Sequence, residues 1–178
     1  MNMRPIGVMA MAVLFGIVAT LTMDGVNSVA SSVGLIGKLN LAFIGKLMNQ
    51  WLQGQFWFLR PGDIPDVPEA LMMGYGAHYF AGISLAIPFY CLICPRVKSG
   101  GGLFVGALTY GLACSLISLC FIYPSVGLGL WGMAGKNPAL LIASLANHAV
   151  YGVALGGCAI AWRRRMLQKC MPDAAMLH

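Results

Sequence analysis

Four apolar stretches, about Ile6–Met23, Glu69–Cys94, Gly102–Tyr123 and Ala139–Trp162, are each long enough to cross a bilayer, and together they dominate the chain. A helix needs about 20 residues to span roughly 30 Å of hydrocarbon. The stretches are continuously apolar rather than alternating, which fits helices and not barrel strands. With 59% hydrophobic and 9% charged residues, 178 residues could not cover a soluble domain with polar surface. The expectation is one all-α integral membrane domain over residues 1–178, a four-transmembrane-helix bundle.

The net charge of +6 has a placement that explains it. Arg4, Arg96, Lys98, Arg163, Arg164, Arg165 and Lys169 fall on one side of the four spans. Lys38, Lys46, Arg60 and Lys136 share the other side with Asp63, Asp66 and Glu69. The positive-inside rule then puts both termini of a multi-pass protein in the cytoplasm. The bilayer is the expected partner, with a homo-oligomer or another membrane protein as further partners; nothing supports nucleic-acid binding. The first run is too long for an ordinary signal core, and Asp24 interrupts its approach to Ser28-Val29-Ala30, so it is expected to stay as a span. Of six cysteines, Cys114, Cys120 and Cys158 lie in spans, Cys91 and Cys94 close to an inner end and Cys170 in the tail. Thiols so placed stay reduced, and Cys91-Leu-Ile-Cys94 lacks the second pair that a zinc site needs.

Between the first two runs, Leu39, Phe43, Leu47 and Trp51 recur on one helical face, away from Lys46, Asn49, Gln50 and Gln53. This predicts a short amphipathic helix in the first outer loop, lying either on lipid with Trp51 and Trp57 as anchors or on the bundle. Asp66-Val67-Pro68-Glu69 reads as a capping-box start for the second span, with Glu69 at the third helical position. Asn137-Pro138 opens the fourth.

A repeat runs through the spans. Phe15-Gly16-Ile17-Val18-Ala19-Thr20-Leu21 parallels Tyr110-Gly111-Leu112-Ala113-Cys114-Ser115-Leu116, and His78…Gly82 parallels His148…Gly152. The pattern suggests a duplicated helical hairpin with a pseudo-twofold axis along the membrane normal.

Both histidines lie inside apolar runs, where ionisable groups are costly and mark function. His78 is nine residues from Glu69 and His148 ten from Pro138, so both sit roughly 13–15 Å below the outer helix ends. Gly74, His78 and Gly82 share one face, as do His148, Gly152 and Gly156, and small residues at this spacing mark close helix contacts. Gly16 and Gly111 are the matching small residues on the other spans. Asp24 is expected to close the first span at the height of Glu69, so that Asp24, Glu69, His78 and His148 form a polar site for relaying protons or neutralising a cation. Hydrogen bonds to Tyr79, Asn147 or Ser144 for packing alone are the competing explanation. A further alternative uses the diagonal placement of spans two and four: His78 and His148 as axial ligands of haem with room left by Gly16 and Gly111, or as ligands of a divalent metal completed by Asp24 or Glu69. No phosphate loop, HExxH or serine elbow is present, so an enzyme is not expected.

The chain resembles a bacterial membrane family catalogued as domain of unknown function twenty-nine thirty-eight. The resemblance rests on Ala19-Thr20-Leu21-Thr22-Met23-Asp24, Gly45-Lys46, Gly54-Gln55-Phe56, Glu69, Gly74, His78-Tyr79, Gly82, Pro124-Ser125-Val126-Gly127-Leu128-Gly129, His148 and Gly152. The chain departs from that pattern at Tyr75, where tryptophan is expected, and across Trp131–Asn137, where the family is more polar. The resemblance implies a small four-span inner-membrane protein and supplies no activity. The functional expectation is handling of a small solute, ion or protons, with a non-catalytic accessory or scaffold subunit, or a haem- or metal-binding protein, as alternatives. Reporters fused at Met1, Ser99, Trp131 and His178 test the topology. Cytoplasmic activity is expected at all but Trp131, and a tail reporter active only in the periplasm would contradict it.

Overall fold

The computed structural model describes residues 5–169. Arg4 and Cys170 lie outside them, as does the Lys169 side chain. Five helices carry the fold: α1 (Pro5–Ser32), α2 (Leu41–Leu52), α3 (Ala70–Pro88), α4 (Gly100–Ile117) and α5 (Ala139–Lys169). α3 continues through a π-helical turn at Phe89–Ile93, and α4 through another at Ser118–Ile122. The first of these directly follows Pro88, which has no N–H to offer the regular ladder. Four segments are long and apolar enough to cross a membrane: Gly7–Ser32, Ala70–Ile93, Gly100–Ser125 and Ala139–Gln168. They run alternately up and down between a basic end, which carries Arg96, Lys98 and Arg163, and a loop end, which carries the long connections.

Two spans outrun their sequence-based limits. α1 does not stop at Asp24 but continues to Ser32. Eight further residues put Asp24 about 12 Å inside the helix end. α5 likewise carries its basic residues beyond 162 as helix. The capping box is also corrected: Glu69 is itself the N-cap residue of α3 and makes no side-chain capping bond. Asp66 instead pairs with Lys46. Asn137 does cap the last span, accepting from the Ala139 N–H at 2.9 Å.

Lipid tails are as apolar as the spans, so helices associate through close packing rather than through hydrophobic burial. Glycine supplies it here in matched places. A Cβ on Gly16 would lie 2.9 Å from the Cα of Ile83, and one on Gly82 would collide with Thr20, so α1 and α3 cross almost backbone to backbone. In the second hairpin a Cβ on Gly111 would lie 2.7 Å from the Cα of Gly152, and one on Gly156 2.9 Å from the Cβ of Ala107. The residues paired by the sequence repeat thus make corresponding contacts. α1 also packs on α5, whereas the α3–α4 seam is looser. Tyrosines reach across the core instead: Tyr110 donates to the Leu85 carbonyl at 2.6 Å, Tyr90 to that of Leu155 at 3.2 Å, and Tyr151 to that of Gly82.

α2 lies on the bundle. Asn40 caps it, accepting from the Phe43 N–H, and Leu47 is buried with Phe58, Ile64 and Val126. On the side facing α3, Gly45 meets the Ala70 carbonyl and the nitrogen of Gly74, while Gly74 meets the Leu41 carbonyl. The helix that approaches Gly74 is therefore α2. Gly127, at φ 76°, lies under the Leu59–Arg60 backbone and lets the 124–129 turn close over the same cluster. At the basic end, Arg163 donates to the carbonyls of Cys94 and Lys98, each at 2.8 Å, and ties α5 to the α3–α4 turn. Gly45→Leu and Gly152→Leu should each destabilise the protein by about 1–3 kcal/mol in denaturant titrations, because neighbouring backbone cannot move aside. Gly76, with open space around it, should accept alanine without loss. Equal stability of all three variants would contradict these contacts.

Candidate functional site

Asp24 and His78 meet inside the bundle. The carboxylate Oδ1 lies 2.8 Å from His78 Nε2, and Oδ2 accepts from the Tyr79 hydroxyl at 3.1 Å. The two rings stand edge to face, 5.7 Å apart. His78 lies eight residues into α3, about 12 Å from its start, so both partners share a depth despite 54 residues of sequence between them. α1 and α3 are held in this register by the Gly16–Gly82 crossing, one to two turns nearer the basic end. Both side chains are largely covered, with 12% of the histidine and 24% of the aspartate exposed. An isolated carboxylate at such depth would be costly; here both of its oxygens are bonded. As a carboxylate it accepts from Nε2–H, which leaves Nδ1 of a neutral His78 with its lone pair.

His148 occupies the same layer on α5, nine residues from Ala139. Its Nδ1 bonds the Ser144 carbonyl at 2.8 Å. A carbonyl can only accept, so this nitrogen carries the hydrogen and Nε2 of the neutral ring has a free lone pair. Each histidine is hydrogen-bonded to a different partner. Beside them, buried Asn27 donates to Asn147 Oδ1 at 3.2 Å, linking α1 to α5. The same amide donates to the Gly37 carbonyl at 3.3 Å and accepts from the Leu39 N–H at 3.0 Å.

Of the four residues proposed from sequence, Asp24 and His78 are in contact and His148 shares their layer. Glu69 stands apart at the N-cap of α3, exposed and about 13 Å up the helix from His78. Gly16 is not in the histidine layer; it packs against Gly82 and Ile83. That overturns the haem geometry, since the space expected beside Gly16 and Gly111 is filled by neighbouring helix backbone. His78 Nε2 is also already committed to Asp24. Nor do the side chains fit the proposed metal set, because Glu69 is too distant and no three His, Cys, Asp or Glu side chains converge among the described residues. Asn27 has no signal of its own in the sequence. Its only hint is a polar residue three positions after Asp24, on nearly the same helical face.

A family model matches residues 13–161, under the description protein of unknown function (DUF2938). The chain belongs to the DUF2938 family. No curated protein and no solved structure matches it. Several residues that carry the resemblance to DUF2938 meet in space: Asp24 with His78 and Tyr79, Gly45 with Gly74, and Gly82 with Thr20. In the second hairpin, Leu119, which is buried, and Ala149, which is half-buried, stand where the repeat has Asp24 and Tyr79, so the carboxylate belongs to the first half alone. Asp24→Leu should cost about 1–3 kcal/mol of stability by leaving the His78 nitrogen and Tyr79 hydroxyl unpaired. A second substitution, His78→Leu, should recover part of that loss, and Glu69→Gln should change nothing. An Asp24→Leu variant as stable as the wild type would remove the pair from the account.

Proposed function

We propose that this DUF2938 protein is a multi-pass protein of the bacterial inner membrane, with both termini in the cytoplasm, that handles a small cation or protons through Asp24, His78 and His148. The observation that carries this reading is the Asp24–His78 pair about 12 Å inside two apolar spans. Ionisable groups in such positions are costly, and where they occur they mark ion pathways and proton relays. The chemistry suits a passing proton better than a held metal ion, since the three side chains do not converge on one point. The carboxylate brings one negative charge, and each neutral imidazole keeps a lone pair, at His78 Nδ1 and at His148 Nε2. Uptake of one positive charge would make the buried group neutral. The basic residues gathered at one end of the bundle support the orientation.

Purified protein in liposomes under a pH gradient and, separately, a sodium or potassium gradient tests the reading. Fluorescent dyes should report flux above that of empty liposomes. Asp24→Asn and His78→Ala should each reduce it at least tenfold, and Glu69→Gln should leave it intact. No flux in any gradient from correctly folded protein would overturn the proposal and favour an accessory or scaffold role. Wild-type flux in both site variants would reduce the pair to packing.

A further inference from the structure

α1 ends at Ser32, and Gly34 just beyond it takes a left-handed backbone (φ 76°) that lets the chain reverse, while the Leu35 N–H bonds back to the Ala30 carbonyl. The connection then descends along α1 instead of leaving the bundle. By Gly37 it has returned to the height of Asn27, five residues, about 7 Å, below the end of α1. Non-helical backbone beside a helical bundle is held in place by whatever hydrogen bonds it makes to protein. Here one side chain does most of that work. Asn27, only 3% exposed, accepts from the Leu39 N–H and donates to the Gly37 carbonyl. Among the described residues, the backbone between Leu35 and Asn40 makes no other hydrogen bond to protein. Asn27 also lies one turn from Asp24 on nearly the same face, and it holds Asn147, the neighbour of His148. The strap therefore sits over the loop-end side of the polar layer, fastened at a single amide.

We propose that the 33–40 connection is the loop-side gate of the Asp24–His78 site, and that Asn27 is the latch holding it closed. Opening breaks two hydrogen bonds, to Gly37 and Leu39, both of which water can replace. It leaves the Gly16–Gly82 and Gly111–Gly152 crossings untouched. In the closed state the strap lies against Asn27 on the loop-end side of the site, and the core cluster around Phe89 and Leu103 packs the bundle towards the basic end. The gate serves the ion-handling reading, but it is tested by accessibility and not by flux, so either can fail alone.

Met23 lies one helical turn below Asn27, partly buried, and reports on the space beneath the strap. The full chain with its native cysteines replaced and Met23→Cys added is placed in liposomes and treated with a membrane-impermeant thiol reagent. Asn27→Ala should raise the labelling rate at least tenfold. Asn147→Leu, which cuts only the tie to α5, should stay within twofold of the parent. An unchanged rate with Asn27→Ala, or an equal rise with Asn147→Leu, would overturn the latch. Hydrogen exchange on the unsubstituted protein gives a second reading that needs no variant. The Leu39 amide should exchange at least tenfold faster than the α1 amides of residues 19–23 if the strap opens locally. Protection equal to theirs would show that the connection never lifts.

Discussion

Close approach of helix backbones at glycine fixes everything else in this bundle. Spans surrounded by lipid gain little from burying apolar surface against each other, so their register comes from where backbones can touch. The crossing of Gly16 with Gly82 brings Asp24 to the height of His78, and that of Gly111 with Gly152 keeps His148 in the same layer. Gly45 and Gly74 dock α2 on α3 in the same manner. A carboxylate and an imidazole from distant parts of the chain can meet within hydrogen-bond distance only because these contacts leave α1 and α3 so little freedom to slide.

The two hairpins share this packing and differ in chemistry. Both have a glycine crossing, a histidine one turn away, and a hydroxyl residue, Thr20 or Ser115, bonded to its own helix. Only the first adds Asp24 and Tyr79; the second has Leu119, which is buried, and Ala149, which is half-buried, at those positions. The duplication thus supplies a symmetric scaffold, and the site is an asymmetric addition to it. Asn27 and Asn147 bridge the halves at the level where the asymmetry lies.

Much of this was legible in the sequence, and the exceptions have physical causes. Continuous apolar runs revealed the four spans, and the spacing of glycines around His78 and His148 revealed which faces touch. Hydropathy could not reveal that α1 continues past Asp24, because a charge inside a helix looks the same as a charge that ends one until its partners are known. Those partners, His78 and Tyr79, lie more than fifty residues away. The same misplacement of Asp24 drew Gly16 into the wrong layer and made Glu69 a neighbour of a site it does not reach. The haem geometry failed for a related reason: glycine signals an empty volume, and sequence does not say whether a ligand or another helix fills it. For α2 the period of Leu39, Phe43, Leu47 and Trp51 gave the helix, while Gly45, on another face, is where it meets α3.

The central claim is that Asp24 and His78 form a hydrogen-bonded pair between two membrane spans. Nitrogen-15 solid-state NMR of histidine-labelled protein in lipid bilayers tests it most directly. The account predicts that His78 Nε2 carries a hydrogen bonded to a carboxylate, and that Asp24→Asn shifts this signal while leaving that of His148 in place. A His78 ring that ignores the substitution would contradict the account.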